Sequence, residues 1–157
     1  MNEPPFDLAD PIERGAAAGV VGAVAMAAAM GLDLSLTHQR TNELRLLGGL
    51  LPGLGRFWPL TGTLMHLVNG AALGALFGWI QAGLPGPAWA RGLLLAQVEN
   101  LALWPVLLVL DRIHPDVRAG RLQRFNALGP FLAEVFRHAV FGLVLGVAFE
   151  RLTPTKK

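Results

Sequence analysis

His66-Leu67-Val68-Asn69-Gly70-Ala71-Ala72-Leu73-Gly74-Ala75-Leu76-Phe77 is echoed further along the chain by His138-Ala139-Val140-Phe141-Gly142-Leu143-Val144-Leu145-Gly146-Val147-Ala148-Phe149. Six of the twelve positions are identical: His, Val, Gly, Leu, Gly and Phe. Both copies sit in apolar runs of about 20 residues, the length that crosses a hydrocarbon core of ~30 Å. The pattern predicts an all-α integral membrane protein. Its four transmembrane helices form two parallel-related two-helix repeats within one domain, residues 1–157.

Working outward from these two copies, the expected spans cover about 14–35, 60–82, 88–110 and 129–151, with interfacial connections at 37–59 and 111–128. Span one carries Gly15, Gly19, Ala23, Ala27 and Gly31 at every fourth position. In lipid such a stripe lets a second helix backbone come close. Gly70, Gly74, Gly142 and Gly146 are expected to pack helices in the same way. Asp10-Pro11 offers an N-cap and a first-turn proline for span one, after a polar lead-in. Gly83-Leu84-Pro85-Gly86-Pro87 makes the turn after span two, and Pro105 is expected to kink span three and free a backbone carbonyl. The repeat extends weakly to spans one and three, with Arg14-Gly15 aligned to Arg91-Gly92.

The connections read as surface elements. Leu47, Leu50, Leu51, Phe57 and Trp58 are expected to dip into the headgroup region. A short helix after Pro115 is expected to present Leu122 and Phe125 to the membrane.

Composition agrees with a membrane protein and removes several function classes. The 157 residues are 53% hydrophobic and only 15% charged, where a soluble domain carries about a quarter. Mean hydropathy is +0.47. The absence of cysteine excludes disulfides, thiolate metal sites and thiol nucleophiles. A net charge of +2, with arginines scattered through the connections, does not make a nucleic-acid surface. Acidic residues near Met1 argue against a cleavable signal peptide. Ser35 is the only serine, and no phosphate loop, nucleophile elbow or zinc-protease motif occurs. The chain is therefore not expected to be an enzyme.

A Gly/Ala-rich first span, His66/Gly70/Gly74, Pro105 and His138/Gly142/Gly146 together resemble the small four-helix bacterial inner-membrane proteins of the YagU-like kind. The resemblance implies a multi-pass inner-membrane bundle and no known reaction. This sequence departs from that pattern in its arginine-rich connection between spans three and four, and in Glu99 and Arg137.

Charged side chains inside a bilayer face the protein interior or a watery cavity. Asp33, His66, Glu99, Asn100, Glu134, Arg137 and His138 are expected to form one polar intramembrane cluster, open toward the long connections. Arg137 is the natural counter-ion of Glu99 or Glu134. Three readings follow. The first is a structural or accessory bundle, contacting the lipid bilayer and a homo-oligomer or larger membrane complex. The second is a small proton-linked transporter or ligand-binding membrane protein. The third and least favoured is a bis-histidine haem protein ligated by His66 and His138. No metal site and no cofactor are expected from the first reading. Seven cationic residues on the long-connection side against five on the other place those connections in the cytoplasm.

Overall fold

The computed structural model describes residues 10–37, 39–50 and 55–153. The lead-in at 1–9, Leu51, Pro52-Gly53 and the tail at 154–157 lie outside the described residues. Six α-helices follow in order: α1 Pro11–Thr37, α2 Glu43–Gly49, α3 Trp58–Ile80, α4 Ala88–Ile113, α5 Pro115–Arg118 and α6 Leu128–Arg151. No strand occurs among the described residues. Four helices (α1, α3, α4 and α6) are long and apolar enough to cross a membrane. The protein is an all-α integral membrane protein.

Local chemistry sets the helix ends. The Asp10 carboxylate accepts the Ile12 backbone N–H at 2.7 Å, and Pro11 occupies the first turn, where its missing N–H costs nothing. A 3₁₀ turn, Gly55–Phe57, leads into α3, and another, Gln81–Gly83, leads out of it. Gly86 then takes a φ of 90° in the reversal toward α4, a backbone region that side chains disfavour. α4 continues through Pro105 as one helical segment.

The spans pack backbone to backbone through small residues. A Cβ added to Gly74 would run into the Gly15 carbonyl oxygen, and one on Gly70 would lie 2.6 Å from the Ala23 Cβ. In the α4–α6 pair, a Cβ on Gly146 would run into the Ala88 carbonyl oxygen, and one on Gly142 would lie 2.8 Å from the Ala96 Cβ. Gly19 and Gly92 therefore play the same part in the two pairs. The alignment of Arg14-Gly15 with Arg91-Gly92 is one helical turn out of step with these contacts. A Cβ added to Gly31 would meet nothing within 4 Å, so the last member of the α1 stripe takes no part in this close packing.

α1 packs on both α3 and α6, and α6 packs on both α1 and α4. Although consecutive in the chain, α3 and α4 hardly touch. Asn69 of α3 and Leu103 of α4 are both exposed and both border the internal cavity described below.

The two connections do more than lie at the interface. α2 crosses the start of α3 so closely that a Cβ on Gly62 would strike the Leu44 carbonyl, and one on Gly48 would sit 2.5 Å from the Trp58 oxygen. Leu46 of α2, Val117 of α5, Leu122 and Phe125 form a second small core, backed by Trp104, Leu107 and Leu110. Leu122 and Phe125 thus face protein rather than lipid, contrary to the reading from sequence. The reason is that α2 offers them an apolar partner, and a protein-filled contact outcompetes a half-wet interfacial one. Leu50 and Phe57 remain exposed, and Leu47 is half-buried on the cavity wall.

Candidate functional site: a carboxylate–histidine cavity beneath the cap

The polar residues gather in the half of the protein nearest the two connections. Arg137 of α6 is fully buried. Its Nη1 donates to the Thr41 carbonyl at 2.7 Å and to Glu134 Oε1 at 2.8 Å. Its Nη2 donates to Thr41 Oγ1 at 3.0 Å and to the Asp33 carboxylate. One guanidinium thereby joins the end of α1, the first connection and α6. A charge at this depth is tolerable because it is both paired and hydrogen-bonded.

His66 and His138 each have one nitrogen on a backbone carbonyl and turn the other toward a carboxylate. His66 Nε2 donates to the Ala23 carbonyl at 3.0 Å, and its Nδ1 faces Glu43 Oε2 at 3.9 Å. His138 Nδ1 donates to the Glu134 carbonyl at 2.8 Å, and its Nε2 lies 3.0 Å from Glu99 Oε2. Since a carbonyl oxygen can only accept, these contacts fix which nitrogen carries the proton. Glu99 therefore meets His138, while Arg137 takes Glu134 and Asp33. The sequence alone leaves Arg137 open to either glutamate.

Between these groups lies a cavity of about 120 Å³, several times the room that a single water needs. Its polar wall includes Glu43, His66, Glu99, Asn100, Glu134 and His138, and Met26, Leu46, Leu73, Phe125 and Phe141 line the remainder. Asn100 is only 2% exposed, and its amide Nδ2 has no hydrogen-bond partner. Glu43 Oε1 is likewise buried without one. A porphyrin does not fit: the cavity falls well below the ~300 Å³ at which ordinary cofactor pockets begin.

All seven residues expected from the sequence belong to this region, with Asp33 reaching it through Arg137. Two participants were missed. Thr41 and Glu43 lie in a stretch that reads as a polar connection, and only Asn42, whose side chain accepts the Arg45 N–H at 2.9 Å, signalled a helix start there. That start sets Glu43 in the first turn of α2, over the cavity. Burial pushes the Glu43 carboxyl up, but Glu134, His138, Arg137 and His66 together hold it below the usual glutamate value.

The cap is fastened by a separate ionic cluster. Arg45 Nε and Arg121 Nε each reach a different oxygen of Asp116 at 2.7 Å, and His114 Nε2 donates to the Leu46 carbonyl at 3.0 Å. Burial pushes the Asp116 carboxyl up, yet the hydrogen bonds from Arg45 and Arg121 outweigh it and hold it below the ordinary aspartate value. With a folded pKa below an unfolded value of ~3.9, this contribution is complete above that value and is lost as pH falls through the folded one. Amide protection in α2 and α5 should therefore hold from pH 6 to about pH 4 and drop below that, while the spans stay protected. Asp116→Asn should show the reduced protection already at pH 6. Equal protection in both proteins throughout would mean that the apolar contacts alone hold the cap.

Residues 9–157 match the family of unknown function DUF6789, and the chain belongs to that family. No curated protein and no solved structure matches the chain. Nothing in these comparisons leads to the YagU-like proteins in particular.

Proposed function

Starting from membership of a family that brings no activity with it, we propose that this protein is a ligand-binding, multi-pass protein of the cell inner membrane whose working part is the carboxylate–histidine cavity. The observation that carries the reading is the pair of buried, unpartnered polar atoms on the cavity wall, Asn100 Nδ2 and Glu43 Oε1. A polar cluster kept only to fix helix register gains by satisfying every atom, since each one left over costs ~1–3 kcal/mol. Leftover donors and acceptors around an open volume suit a guest that completes them.

The four spans are read as a bundle of two related helix pairs. Phe77 and Phe149 close the two sequence copies and meet edge to face with ring centroids 5.2 Å apart. Repeat-equivalent residues touch each other in this way only close to a two-fold axis, which supports the repeat. The YagU-like resemblance fits the same architecture. An accessory bundle, packed on itself or on a membrane partner, is the second reading, and there the polar cluster serves stability alone.

Asn100→Leu separates the two. A binding site sacrifices stability for its unmet donor, so removing the Asn100 amide should raise the thermal midpoint in detergent, at roughly 2–4 °C per kcal/mol regained. A lowered midpoint would favour the accessory reading and sink the binding one.

A further inference from the structure

The polar end of the cavity has the make-up of a cation site, and we propose that it binds one divalent transition-metal ion through Glu43, Glu134 and His138. The inference rests on the binding reading above and names its ligand class. One carboxylate oxygen from each glutamate and one imidazole nitrogen lie within 4.8 Å of one another. Three donors held by one ion at ~2.0–2.2 Å lie at most about 3.8 Å from one another, so side-chain shifts of up to about 1 Å bring all three into one coordination sphere.

Charge points the same way. Three carboxylates (Asp33, Glu43 and Glu134) lie against a single guanidinium, Arg137, and a fourth, Glu99, meets His138. Surplus negative charge in a low-dielectric interior demands protons or a cation. Arg137 holds Oε1 of Glu134, and Oε2 lies 3.9 Å from His138 Nδ1. The hydrogen bond from His138 Nδ1 to the Glu134 carbonyl is the outer-shell contact that orients metal-bound histidines, with Nε2 left as the donor. That Nε2 already has Glu99 at 3.0 Å, the spacing of two ligands on one ion. A mixed imidazole–carboxylate set favours Zn²⁺, Mn²⁺ or Fe²⁺ over Mg²⁺ or Ca²⁺.

Asn100 supplies the independent sign. Its buried Nδ2 stands on the same cavity wall as the three ligands and lacks any acceptor. An oxygen inside the cavity, such as that of a metal-bound water, would satisfy it.

The test uses the full chain, purified in detergent, stripped with chelator and titrated with ZnCl₂ or MnCl₂ by calorimetry and thermal unfolding. One ion per chain should bind and raise the thermal midpoint. Glu43→Gln and His138→Gln should each weaken binding by about 100-fold or more, whereas Glu150→Gln, on the exposed end of α6, should leave it unchanged. Should His138→Gln fail to fold, CoCl₂ added to the unaltered protein should give a visible d–d spectrum that Glu43→Gln abolishes. Absence of stoichiometric binding, or equal binding in all variants, overturns the metal assignment. If Asn100→Leu nonetheless stabilises the stripped protein, the cavity still reads as a binding site, and its guest is protons or an organic cation. If that variant destabilises it and no ion binds, both readings fall together.

Discussion

Gly74→Leu and Gly146→Leu are expected to abolish the native fold, giving aggregated protein or no cooperative unfolding in detergent. At each position even a Cβ would run into a backbone carbonyl of the neighbouring span, Gly15 for the first and Ala88 for the second. Ordinary overpacking costs ~1–3 kcal/mol because side chains can move aside. Here the obstacle is another helix's main chain, so the whole pair must separate, and the close packing that holds helices together in lipid goes with it. Gly70→Leu and Gly142→Leu should do nearly as much damage, since each meets both an alanine Cβ and a main-chain oxygen. Gly31→Leu is the control, because nothing lies within 4 Å of its added Cβ. That variant should match the parent or unfold slightly later, as leucine favours helix over glycine. Unchanged midpoints for the first four would refute backbone contact as the basis of the packing.

Arg137→Met should be the most damaging change among the polar residues. It leaves Asp33 and Glu134 facing each other without their shared cation, and deprives the Thr41 carbonyl and hydroxyl of their donor. Removing one partner from a buried ionic group costs about 3–5 kcal/mol, or roughly 10 °C in the thermal midpoint for a chain of this size. Arg137→Lys should recover only part of this, since an ammonium cannot repeat the forked geometry. Adding Glu134→Gln to Arg137→Met should restore several degrees by removing one stranded charge. If the double variant is no better than the single one, the loss lies in packing and not in charge.

Length and hydropathy made the four spans readable, because a bilayer forces backbone polar groups into long apolar helices. The repeated His-x-x-x-Gly-x-x-x-Gly made the packing faces readable, because only small residues permit such approach. Height along a helix could also be read, so Asp33, His66, Glu134, Arg137 and His138 were expected on one side. Azimuth could not. Glu99 and Glu134 were equally good partners for Arg137 until the rotation of α4 turned Glu99 onto His138. Glu43 was hidden for a different reason: its position depends on α2 folding back across α3, a tertiary event with no periodic trace in seven residues. The burial of Leu122 and Phe125 was hidden likewise, since apolar residues in an interfacial loop look the same whether lipid or protein covers them.

The Asp33–Arg137 pair also sets an order of events on the ribosome. Its two members are 104 residues apart in the chain. At about 5–20 residues per second, α1 waits roughly 5–20 s after synthesis for the arginine that neutralises its carboxylate. Nascent chains halted before α6 would hold that acid at the end of a nearly all-apolar helix, with neither its cation nor the face against which α1 finally packs. A quality-control protease that senses uncompensated charge at the end of a span would find its signal there, and completion of the last helix would erase it.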